Sequence, residues 1–174
     1  MKPIVQPLAI LILGLSMTAC TDDPPTSPSP GTSTTFTANL LTANEVPPIA
    51  NEEAGGSATA TITIAVTNDS AGYVSNASMD VSVTATGFPN GTALTKAHIH
   101  PGAVGANGGV FVNLGLADGE VTFPSGAGSF TKRGIALTAD QANAILANPS
   151  GFYLNIHTAR NPDGVARGQL TRAQ

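Results

Sequence analysis

The sequence predicts an all-β protein, an antiparallel sandwich with one short helix, and three observations lead there. The first is composition: Gly 19 and Pro 13 in 174 residues, no Trp, aromatics at 5% and charged residues at 10%. Such a chain suits short strands joined by tight turns. The second is strict two-residue alternation of apolar and polar side chains in two long segments. The third is the regular recurrence of turn residues between further short strand-like runs, the pattern of a sandwich. The length fits one domain with leader and linker segments. Formal net charge is −4, from 7 Lys and Arg against 11 Asp and Glu, which excludes a nucleic-acid partner and a polybasic membrane patch. One Cys excludes a disulfide within the chain.

In chain order, Lys2 precedes an apolar run from Leu8 to Leu15, followed by Met17-Thr18-Ala19-Cys20. The run is too short to span a bilayer, which takes about 20 residues, and reads as a leader over residues 1–19. Small residues directly before a cysteine resemble the bacterial lipoprotein signal. That resemblance implies cleavage before Cys20, lipidation of its sulfur, and an extracytoplasmic protein anchored to a membrane by lipid alone, in the periplasm or at the cell surface. Residues 20–35, rich in Pro, Ser and Thr, read as a solvated tether. The folded domain is expected over residues 36–174.

Within it, Ala58, Ala60, Ile62, Ile64 and Val66 alternate with Ser57, Thr59, Thr61 and Thr63. Met79, Val81, Val83 and Ala85 do the same against Asp80, Ser82, Thr84 and Thr86. These two half-buried strands are expected to pair across the turn at 68–72. Further strands are expected near 36–41, 96–100, 110–114, 119–123, 128–132, 152–157 and 165–171. Between Thr138 and Asn148 the period changes: Thr138 and Gln141 fit a capping box, Ala142, Ile145 and Leu146 share a helical face, and Asn148-Pro149 stops it.

All three histidines fall in two of the strand-like segments. In Ala97-His98-Ile99-His100 the strand period puts both imidazoles on one face. In Phe152-Tyr153-Leu154-Asn155-Ile156-His157 the alternate set Tyr153, Asn155 and His157 shares a face. If the strands are neighbours, three imidazoles converge, a donor set suited to one copper or zinc ion with an open position. The competing reading has the histidines hydrogen-bonding the backbone of the Gly-rich loop from Pro101 to Gly109. Glu45 is a candidate fourth ligand or an acceptor that orients an imidazole, or else an exposed loop carboxylate. Arg167 is either an anion-steering cation or a structural arginine bonded to loop carbonyls.

Four separated motifs carry a family resemblance: Asn44-Glu45-Val46-Pro47-Pro48; Ala97-His98-Ile99-His100-Pro101-Gly102 with Gly105, Gly108 and Gly109; Tyr153-Leu154-Asn155-Ile156-His157-Thr158; and Asn161-Pro162-Asp163-Gly164-Val165-Ala166-Arg167-Gly168-Gln169-Leu170. Together they resemble the CHRD domain, over about residues 36–171. The resemblance implies an extracytoplasmic β-rich domain and no particular activity. A second one concerns mechanism. The order His98, His100, His157, Arg167 is similar to that of copper-zinc superoxide dismutases, Greek-key β-sandwiches whose His-x-His strand and a later histidine bind copper and whose arginine draws in the anion. It implies a Greek-key-type sandwich and a mononuclear copper site here, because the bridging histidine, the remaining zinc ligands and the disulfide cysteines of that family are missing. The functional expectation is a cell-envelope lipoprotein whose domain is a binding or structural module with a three-histidine metal site, its protein or small-anion ligand unidentified. The alternative is a superoxide-dismutase-like metalloenzyme with mononuclear copper.

Overall fold

The computed structural model describes residues 31–174. The leader and Cys20 lie outside the described residues. Ten strands follow in order: β1 (Thr32–Leu41), β2 (Ser57–Asn68), β3 (Val74–Thr86), β4 (Thr92–Pro101), β5 (Val112–Asn113), β6 (Val121–Phe123), β7 (Gly128–Leu137), β8 (Phe152–Thr158), β9 (Ala166–Gln169) and β10 (Thr171–Arg172). The single α-helix among the described residues, α1 (Ala139–Ala147), lies between β7 and β8. Every expected strand is present. β1 starts at Thr32, earlier than the polar composition suggested, because Thr32 to Thr35 pair in register with Val66 to Thr63 of β2. Threonine's branched side chain suits a strand as well as a linker.

The strands form one antiparallel sheet in the order β5-β4-β8-β9-β1-β2-β3-β7, with β6 also on β4 and β10 on β1. It curls nearly into a barrel, β6 and β7 approaching each other across the seam. β1 joins the two halves by pairing with β2 on one side and with β9 and β10 on the other, so the facing walls of the core belong to one continuous sheet. The expected hairpin of β2 and β3 is seen, Ile62 opposite Val81 and Ile64 opposite Met79. Asp69 Oδ1 tightens its turn by accepting from the backbone N–H groups of Ala71 and Tyr73.

The inward residues of these strands make the core: Phe36, Leu40, Ile62, Ile64, Val81, Val83, Leu94, Ile99, Leu154 and Ile156 are all fully buried or nearly so. Val66, expected among them, is half-buried toward the strand end. α1 closes against β3 and β7 through Ala142 and Ile145. Its capping box is formed as the sequence indicates: Thr138 Oγ1 accepts from Gln141 N–H at 3.1 Å, and Thr138 N–H donates to Gln141 Oε1 at 2.9 Å.

β8 departs from the half-buried pattern, since all seven of its residues are buried. One face looks into the core. The outer face, together with that of β4, is roofed by three loops, at 42–56, 102–111 and 159–165, and the histidines lie beneath this roof.

Candidate metal centre

β4 and β8 are neighbours, the one condition that three-histidine convergence required. Their antiparallel register sets His98 opposite Asn155, His100 opposite Tyr153 and Lys96 opposite His157. Residues directly opposite share a face, so His98, His100, Tyr153, Asn155 and His157 all project outward while Ala97, Ile99, Leu154 and Ile156 fill the core. Each imidazole offers one ring nitrogen, and the three nitrogens lie within 4.8 Å of one another. A triangle with sides no longer than 4.8 Å has each corner within about 2.8 Å of one point. Metal–nitrogen bonds of about 2.0–2.1 Å then need each donor to move by less than about 1 Å, within reach of small imidazole rotations.

The hydrogen bonds at the other ring nitrogens fix which atoms are free. His100 Nδ1 lies 3.0 Å from both Gly108 O and Gly109 O. His157 Nδ1 lies 3.0 Å from Pro162 O. A carbonyl only accepts, so both Nδ1 atoms carry the proton and both Nε2 atoms keep a lone pair. Those Nε2 atoms are buried with no partner, as is Nδ1 of His98. Each of the three clustered imidazoles thus carries one buried, unpaired ring nitrogen, which fits a metal ion's donor requirement, since buried polar atoms are otherwise paired. The loop-bonding alternative is thus half realised: the Gly-rich loop takes one nitrogen of His100 and orients the other. Gly108 makes this possible, because a Cβ there would lie 1.8 Å from Pro101 O.

The electrostatics favour neutral rings at His98 and His157. The histidines are only 7%, 7% and 4% exposed. Burial, helped by the neighbouring His157 and His100, pulls the pKa of His98 down to about 4. Burial also lowers that of His157, partly offset by its bond to Pro162. Neutral imidazole is the metal-binding form.

Arg167 is a buried arginine bonded to loop acceptors close to the cluster. Its strand, β9, flanks β8 on the side away from β4, so Tyr153 stands between them. The Tyr153 ring stacks on His100 with centroids 5.1 Å apart and 11° between planes, and the Arg167 guanidinium lies 4.7 Å from the Tyr153 centroid. Arg167, 3% exposed, donates from Nε to Asn44 O at 2.6 Å, and from its terminal nitrogen to Asn107 Oδ1 at 2.7 Å and Ala106 O at 3.2 Å. It therefore ties the loop carrying Glu45 to the loop that holds His100. Glu45 is buried, at 6% exposed, rather than a solvated loop carboxylate. Burial, opposed by Arg167, raises its pKa to about 7. Among the described residues no Glu, Asp or Cys joins the three histidines as a fourth donor.

Glu45 and His100 both line a cleft of about 530 Å³, with Val46 to Ala50 on one wall and Arg160 to Gly164 on the other. Glu53 is a buried residue of the site that the sequence reading passed over. It accepts from Thr158 Oγ1 at 2.7 Å and from Asn161 Nδ2, holding down the loop whose Pro162 carbonyl orients His157. Its partners lie more than a hundred residues away in sequence, so no local motif announces it.

Comparison with protein-family models matches residues 36–170 to the CHRD domain. No curated protein and no solved structure matches the chain.

Proposed function

The chain belongs to the CHRD domain family, and from that premise we propose that it is a lipid-anchored binding module of the cell envelope whose His98, His100 and His157 hold one copper or zinc ion. The observation that carries the metal reading is the set of three buried, unpartnered ring nitrogens on one face. The family and the Met17-Thr18-Ala19-Cys20 signal support the location. The ion supplies a cationic centre that fixes the outer face of β4 and β8 and attracts a ligand from the cleft. The chain's own residues do the rest: Gly108, Gly109 and Pro162 carbonyls orient two imidazoles, Glu53 anchors the 159–165 loop, and Arg167 joins the remaining two loops.

A second reading, a mononuclear copper enzyme of superoxide-dismutase type on a Greek-key-type barrel, is favoured by one observation. Three histidines converge and no fourth protein donor joins them among the described residues, which leaves a position for an exogenous ligand. Against it, Arg167 commits Nε and one of its two terminal nitrogens to loop acceptors. Metal analysis after separate reconstitution with copper and with zinc tests the first reading: one ion per chain is expected, and none with either metal overturns it. Superoxide turnover by the copper-loaded protein that falls on Arg167→Ala would favour the enzyme.

A further inference from the structure

Glu45 is the one buried acidic side chain of the site without a structural partner for its carboxyl. Oε1 is buried and unpaired, a state that costs free energy unless something supplies a hydrogen bond. The backbone on either side is fastened. Asn44 accepts from Arg167 Nε and donates from Nδ2 to Arg167 O at 3.1 Å, and Val46 O accepts from Asn107 Nδ2 at 3.0 Å. The carboxyl is thus fixed in the cleft that also exposes His100, the only one of the three histidines on its lining. The cleft thus presents Glu45 and one imidazole of the cluster to the same space.

Three neutral imidazoles bring no negative charge, so a divalent ion held by them keeps its full charge toward the open side and favours an anion. We propose that Glu45 is the anion-recognising group of this centre: a small anion of two or three heavy atoms, such as azide or a dioxygen-derived anion, meets the metal at one end and accepts a hydrogen bond from the Glu45 carboxyl at the other. The proposal rests on the metal reading above. Burial favours the protonated, donating carboxyl, while Arg167 on β9 opposes it. The other charged groups on the cleft, Arg160 and Asp163, sit on the facing loop. A bound anion raises the carboxyl's proton affinity further, so proton and anion are taken up together.

The test loads the full chain with copper alone, titrates azide, and follows the azide-to-copper charge-transfer band in wild type, Glu45→Gln and Glu45→Ala. Copper stoichiometry is expected to be the same in all three. Azide affinity is expected to fall at least about tenfold in Glu45→Ala, the loss typical of a hydrogen bond to a charged group, and to stay within about threefold in Glu45→Gln, whose amide N–H still donates. Unchanged azide affinity in Glu45→Ala on a copper-loaded protein overturns the role of Glu45 and leaves the metal site standing. Loss of copper from both variants overturns it too, by making Glu45 a ligand. Failure of wild type to bind copper overturns the anion role of Glu45 and leaves the metal reading to the zinc reconstitution.

Discussion

Arg167 is the residue on which two of the roofing loops depend. Arg167→Ala leaves Asn44 O, Asn107 Oδ1 and Ala106 O without their donor and uncovers the Tyr153 ring. We expect a loss of about 2–5 kcal/mol in chemical denaturation; a change under about 0.5 kcal/mol would show that these contacts carry no stability. Glu45 makes a separate prediction for metal-free protein. Its carboxyl keeps a proton up to about pH 7 when folded but loses it near 4.5 when unfolded. The native state therefore binds more protons across that window, and this group's contribution to stability declines as pH rises through it. His98 works the other way, favouring the unfolded state as pH falls from 6.5 toward 4, so the comparison has to be with Glu45→Gln, in which the His98 contribution cancels. The Tm of Glu45→Gln relative to wild type should rise between pH 4.5 and 7, and a constant difference would contradict the burial of a titrating carboxyl. At this scale the histidine face was legible because strand period two is a local rule. The Gly108 and Gly109 contacts of His100 were legible as the loop-bonding alternative, whereas burial of Glu45 and the Glu53 network were not, because each depends on loops folding back from distant parts of the chain.

Elements were the most legible level. β2 and β3 announce themselves by alternation, and the Thr138–Gln141 capping box fixes the start of α1. Thr138→Ala should cost about 1 kcal/mol, measured by thermal or urea unfolding, since it removes the side-chain acceptor for Gln141 N–H. Ile64, fully buried on β2, should cost about 2–5 kcal/mol when replaced by Ala, and a negligible change would place it outside the core. The start of β1 and the double burial of β8 escaped the sequence for physical reasons. Threonine-rich segments satisfy both tether and strand, and a strand roofed by loops on its outer face carries Tyr153, Asn155 and His157 where a solvent-facing strand would carry exposed polar groups.

For the whole molecule, a single sheet curled nearly into a barrel supplies a rigid floor, and three loops tied together at Arg167 and Glu53 supply the roof under which the histidines meet. Strand order is what joins β4 to β8 and thereby His98 and His100 to His157; alternation within a segment says which face a residue takes but not which strand lies beside it. The proposed anchor belongs to this scale as well: Cys20→Ser should move the protein from the detergent-soluble membrane fraction to the aqueous one, and unchanged partitioning would rule out lipidation at that residue. The most direct measurement of the central claim is X-ray absorption at the metal edge of copper-loaded wild type and His157→Ala. We expect three imidazole nitrogens at about 2.0 Å in wild type and one fewer in the variant. A spectrum without histidine scattering, or one that His157→Ala leaves unchanged, would contradict a metal centre built from these three side chains.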